Sequence, residues 1–152
     1  MTQFPRHPSF LLFLLLMALL PASALAQLSP PDAITGKWYT PEKESIVEIY
    51  KENSAYSGRV IWAAEPFDRY GKPVTDTQNP DLSLRGRRVI GMAFMWGFFY
   101  EEGRWTGGKV YNMRDGKTYD AHMQLAGPNV LHLRGFIGFS LIGKTSVWER
   151  VK

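Results

Sequence analysis

No cysteine occurs among the 152 residues, so disulfides, thiolate metal sites and thiol nucleophiles are excluded, as is a lipid anchor on a mature N-terminal cysteine. Charge of one sign is not in large excess, with 18 Lys and Arg against 14 Asp and Glu. The basic residues are scattered, whereas nucleic-acid proteins gather them on one face. Their one local group, Arg85, Arg87 and Arg88, reads as a solvated loop end, and nucleic acid is not an expected partner. Long apolar runs are also missing. The one near the N-terminus, residues 10–20, is eleven residues long, short of the about 20 a membrane-spanning helix needs.

That run has the context of a secretory signal peptide: a mildly basic start at Arg6 and His7, then the apolar stretch, Pro21, and the small-x-small site Ala24-Leu25-Ala26. Residues 1–26 are expected to be removed and residues 27–152 to form one domain, large enough to bury a core without disulfides. The expected location is the periplasm or the exterior, with no transmembrane segment in the mature chain.

One motif invites a nucleotide. Gly138-Phe-Ser-Leu-Ile-Gly-Lys-Thr145 fits G-x-x-x-x-G-K-[ST] at every position. A phosphate-binding loop, however, works only between a strand and a helix whose N-terminus meets the phosphates. Here only Ser146 to Lys152 follow, with Val147, Trp148 and Val151 in strand-like composition. The match is read as a turn into a final strand, with no nucleotide.

What is present is a succession of short segments rich in β-branched and aromatic residues, separated by turn chemistry. No helical period is sustained. Strands are expected at 36–39, 46–50, 56–62, 89–100, 105–112, 118–125, 130–136 and 144–151. In 118–125, Tyr119, Ala121, Met123 and Leu125 alternate with polar residues, which defines one wet and one core face. Asp115-Gly116 before it suggests a two-residue turn with positive φ. The segment 89–100 is apolar on both parities, so it is either buried on both sides or kinked at Gly91 or Gly97. The class is all-β, and about eight sequential antiparallel strands imply an up-and-down barrel, since closure removes the edges.

The motifs Gly36-x-Trp38, Val47-Glu-Ile-Tyr50, Tyr56-x-Gly58-x-Val60-x-Trp62 and Asn79-Pro-Asp81-x-x-Leu84-Arg85-x-Arg87 resemble an exported bacterial family, Domain of Unknown Function 2147. Trp105-x-Gly107-Gly108, Gly116-Lys-Thr-Tyr119, Leu133-Arg134-Gly135-Phe136 and Trp148-x-Arg150 extend the resemblance over nearly the whole mature chain. It implies a small lipocalin-like barrel and supplies no catalytic residues. Gly36-x-Trp38 with the late Arg150 is similar to the lipocalin arrangement in which a basic side chain covers an early tryptophan.

Chemistry is sparse. His122 and His132 point outward and lack a third ligand, so no metal is expected; no cofactor is implied either. The same histidines face water, which disfavours a hydrolytic triad, and nothing in the spacing of Glu48 and Glu65 marks a glycosidase pair. The aromatics are abundant, and ligand cavities are lined by such side chains with a few polar groups. The candidate ligand-binding residues are therefore Trp62, Trp96, Phe98 and Tyr119, with Arg85 or Arg134 available to an anionic headgroup. The one long connection, residues 65–88, carries Asp76, Asn79 and Asp81 and is the candidate lid; self-capping turns are the alternative role for these three. Three functions stay open: a non-enzymatic binding protein for a small apolar molecule, a filled barrel that presents the 65–88 loop to an envelope partner, and an enzyme on an envelope substrate. Nothing in the sequence identifies the ligand or the oligomeric state.

Overall fold

A computed structural model describes residues 29–152; the expected signal peptide lies outside the described residues. Eight strands form the molecule: β1 (Gly36–Tyr39), β2 (Ser45–Glu52), β3 (Ala55–Ala63), β4 (Ala93–Glu101), β5 (Arg104–Asn112), β6 (Lys117–Gly127), β7 (Val130–Phe136) and β8 (Gly143–Arg150). Each pairs with its sequence neighbour and β8 returns to β1, so the sheet closes as an antiparallel up-and-down barrel. The closing seam is short, pairing Trp38 with Arg150 and Tyr39 with Glu149. Closure gives every strand a neighbour on both sides, although β8 meets β1 only at Glu149 and Arg150, and in this way so small an all-β chain limits edge-to-edge association.

The alternation in 118–125 becomes β6, with Ala121 and Met123 buried. Two local expectations fail for tertiary reasons. Asp115-Gly116 does not make a two-residue hairpin turn: four residues separate β5 from β6, and Gly116 N–H donates to the Asn112 carbonyl at 2.9 Å. Gly116 alone is left-handed, at φ 68°, and a Cβ there would lie 2.1 Å from the Gln78 carbonyl oxygen. The turn is shaped by the long loop pressed against it. The segment 89–100 also begins its strand late, at Ala93. Residues 89–92 turn first, with Gly91 N–H donating to the Val60 carbonyl and Met92 accepting from Val60.

The doubly apolar character of β4 comes from bulging. Where its register with β3 shifts, both Phe94 and Met95 are buried. Gly97, at φ 73°, then resets the parity so that Phe98 is fully buried. Inside the barrel, Met95 fills the space beside Gly58 and Phe98 the space beside Gly108, each closer than a Cβ would tolerate. Trp38, Tyr56, Trp105, Met123 and Leu131 complete a continuous core. Burial of each such side chain contributes roughly 1.5–3 kcal/mol, and in a chain without disulfides this packing is what holds the fold.

Candidate functional site

The two ends of the barrel differ. At one end a 3-10 helix, Pro31–Ile34, lies across the opening. Trp38 Nε1 donates to the Ile34 carbonyl at 2.9 Å and Trp105 Nε1 to the Pro31 carbonyl at 3.0 Å. Tyr100 Oη reaches the Ser29 carbonyl, and Tyr56 Oη donates to Asp32 Oδ1 at 2.6 Å. The Arg150 guanidinium sits 4.1 Å from the Trp38 ring centroid and donates to the carbonyls of Ala33, Thr35 and Pro128. Gly36, at φ 119°, leaves room for it: a Cβ there would stand 3.1 Å from Arg150 Nη1. The cation over an indole that the lipocalin resemblance implied for Trp38 and Arg150 is therefore present, and each of its three nitrogens donates to backbone. This end is sealed.

The alternating strand directions place the connections 40–44, 64–92, 113–116 and 137–142 together at the opposite end. The long connection is fastened down at its middle. The buried Asp76 carboxylate accepts from Asn79 Nδ2, Tyr111 Oη and Arg87 Nη2 at 2.7–2.8 Å. Burial would raise the Asp76 pKa, but these three donors outweigh it and hold the carboxyl below its ordinary range. Burial, reinforced by the bond to Asp76, pushes the Tyr111 hydroxyl up to about 12. Asp81 accepts from Ser83 N–H and Asn79 Oδ1 from Asp81 N–H, so these residues do cap their own turns. Arg85 donates to the Asn79 carbonyl at 2.8 Å and thereby belongs to the same anchor.

Register decides which predicted residues face inward. Tyr119 opposes Val110, which in turn shares β5 with the inward Gly108, and its hydroxyl donates to Asp115 Oδ2 at the rim. Phe98 is inward but lies deep, against Gly108. The two tryptophans are corrections. Trp62 pairs with Ile46 across an irregularity that reverses its parity, on the face of the outward Glu48 and Arg59 pair, and is exposed. Trp96 opposes Lys109 on the outer surface and is likewise exposed. With Asn79, Arg87, Tyr111 and Thr118 it lines a surface cleft of about 230 Å³. Neither indole borders the barrel interior. Arg134 Nε and Nη2 donate to the carbonyls of Ser140 and Leu141, with Nη1 on Thr145 Oγ1, so this guanidinium clamps the 137–142 connection.

Lys144, exposed at the start of β8, falls in the register of the barrel's inner face. Trp148 opposes Leu131 in the core, Ser146 opposes Leu133, and Lys144 opposes Gly135, which itself opposes Ala121. Counting back by twos from the buried Trp148 would have assigned Lys144 to the inner face at the rim. Small residues, Ala121, Gly135 and Ser146, surround that position. The nucleotide-like motif accordingly spans a hairpin connection and the first residues of an antiparallel strand, with no helix after it.

His122 and His132 occupy one outward face as diagonal neighbours, since Gln124 opposes His132 and His122 opposes Arg134. Burial, then the Arg104 and Arg134 cations, lowers the His122 pKa and so favours the neutral imidazole. Among the described residues no three His, Asp or Glu side chains stand close enough to hold a metal ion. No helix among them is long and apolar enough to cross a membrane.

A closed eight-stranded barrel with a 3-10 plug beneath a Trp–Arg pair defines a lipocalin-like protein. Residues 36–150 match the model of a family described as an uncharacterized protein conserved in bacteria, DUF2147, and the chain belongs to that family. Its fold is similar to that of protein HP1028 from the human pathogen Helicobacter pylori, described as belonging to the lipocalin family. The two share 26% identity over 83% of this chain and 85% of that one, with a TM-score of 0.68. No curated protein matches the sequence.

Proposed function

We propose that this chain is an exported, non-enzymatic binding protein whose barrel mouth takes one small, largely apolar or amphiphilic molecule in the periplasm or outside the cell. The observation that carries the reading is the contrast between the ends. One is plugged with its polar groups satisfied, while the other is rimmed by exposed Phe139, Leu141 and Ile142 above an inward Lys144. Because Met95 and Phe98 fill the lower barrel, the ligand sits near the rim, between Tyr119, Gly135 and Lys144, with its apolar part against the core and an anionic group at the ammonium. Lys144 replaces Arg85 and Arg134 as the headgroup partner, since both arginines are committed to loop carbonyls.

The filled interior favours a second reading, a barrel that serves as an interaction module. Its contact surface would be the anchored 65–88 loop and the outer cleft at Trp96 and Arg87. Titration of the exported protein with a long-chain fatty acid separates the two. The binding reading expects a saturable signal that Lys144→Glu weakens and Trp96→Ala leaves alone; no saturable signal in wild type leaves the interaction module as the account. N-terminal sequencing of protein recovered outside the cytoplasm tests export, with a start near Gln27 expected.

A further inference from the structure

The connection between β7 and β8 is unlike the rest of the surface. Within six residues it exposes Ile137, Phe139, Leu141 and Ile142, the last three at 79%, 90% and 74%. Scattered exposed apolar residues are ordinary, but four on one protruding tip form a concentrated patch. The tip is also held in shape: Arg134 bridges the Ser140 and Leu141 carbonyls to Thr145, and Ile142 N–H donates to the Phe139 carbonyl at 3.0 Å. A preformed apolar projection loses little conformational freedom on docking.

Charge identifies what it docks on. On the two strands that carry the tip no acidic residue occurs between Val130 and Trp148, and the charged side chains at its base are Arg134 and Lys144. The carboxylates of Asp120, opposite Phe136, and of Glu44, on a neighbouring connection, are paired with Lys109 and Arg114, so an apolar tip with two cations at its base matches the interface of an anionic bilayer, where acyl chains receive the side chains and the anionic surface attracts the positive charge. A second copy of the chain suits the patch poorly, because tip-to-tip packing would bring Arg134 and Lys144 of both copies together around a small area.

We propose that residues 137–142 are a membrane-docking tip that inserts into the interfacial region of anionic phospholipid bilayers and sets the barrel mouth against the lipid surface. The proposal stands apart from whether the barrel carries a ligand, since it concerns the outer surface of the loop.

The test is flotation of the exported protein with vesicles of phosphatidylcholine alone or containing phosphatidylglycerol. Wild type is expected to float with the anionic vesicles and much less with the neutral ones, and added salt should weaken the association. A Phe139→Ser, Leu141→Ser, Ile142→Ser triple variant should lose at least about tenfold in partitioning, with an unchanged thermal melt showing that it is folded. In a Phe139→Trp variant, brominated anionic lipid should quench the added indole beyond the background of the native tryptophans. Wild type that stays with the soluble fraction overturns the proposal. So does a folded triple variant that floats as well as wild type, or light scattering that finds a dimer dispersed by the triple substitution without any vesicle binding.

Discussion

The sealed end of this barrel and the end that carries its long connections use the same kinds of residue in opposite ways. At the sealed end Trp38, Trp105 and Tyr56 spend their polar atoms on the segment that crosses the opening, and Arg150 bonds that segment at Ala33 and Thr35 and the β6–β7 turn at Pro128. At the opposite end Phe139, Leu141 and Ile142 are left in solvent, and Lys144 stands opposite Gly135 in the register of the inner face. Apolar area removed from water stabilises the fold; apolar area left in water, on a tip that Arg134 holds rigid, is available to something else. The difference separates residues whose loss should unfold the protein from residues whose loss should change only what it binds.

The largest break in that division should come at the sealed end. Trp38→Ala removes a fully buried indole and should cost about 3–5 kcal/mol, read as a shift in the denaturant midpoint. A midpoint within experimental error of wild type would show the plug to be dispensable. Next is Arg150→Ala, which deletes the stacked cation and its bonds to three carbonyls; a loss of about 2–3 kcal/mol is expected. Arg150→Lys should recover little of it, because an ammonium cannot span the Ala33, Thr35 and Pro128 carbonyls together.

The anchor of the long loop gives an intermediate effect with a pH signature. The Tyr111 pKa is raised from 10 to about 12 in the fold, so its contribution is fully present below pH 10 and is lost as pH rises through about 12. The Asp76 pKa is lowered, so its contribution is present above the unfolded carboxyl value of 3.8 and is lost as pH falls through the folded value. Stability measured against pH should therefore fall on both flanks. Tyr111→Phe should remove the part of the alkaline fall that this hydroxyl causes, and Asp76→Asn should flatten the acid side while lowering stability at neutral pH. Unchanged flanks in both variants would mean that the loop is not anchored there. The smallest effects belong to the end opposite the plug: serine at Phe139 or Leu141, and alanine at the outward His122, should each shift stability by less than about 0.5 kcal/mol.

Much of this architecture was legible because it is local. Period-2 alternation in β6 and turn residues between segments identified the strands and the barrel, whereas the Trp38 and Arg150 pair, far apart in sequence, followed only from the lipocalin resemblance. Facing was not legible wherever a bulge intervened. The irregularity before Trp62 and the left-handed Gly97 after Trp96 shift parity by one, and a one-residue slip exchanges the two faces of a sheet. The apolar count in β4 was correct while the direction of its tryptophan was not. The partner of Asp76 was hidden for another reason, since Tyr111 lies 35 residues away and only the closed barrel brings it to the loop. The face of Lys144 follows only from the burial of Trp148 four residues later, which fixes the parity of β8.

The central claim is that the mouth is where this protein acts and the plug is where it is held together. Amide chemical shifts recorded while a long-chain fatty acid is titrated into the protein test it most directly. The expected result is saturable perturbation at Tyr119 and across residues 135–146, with the amides of Ile34, Trp38 and Arg150 unmoved. Perturbation centred on the Trp38 and Arg150 end, or none at any concentration, would contradict it.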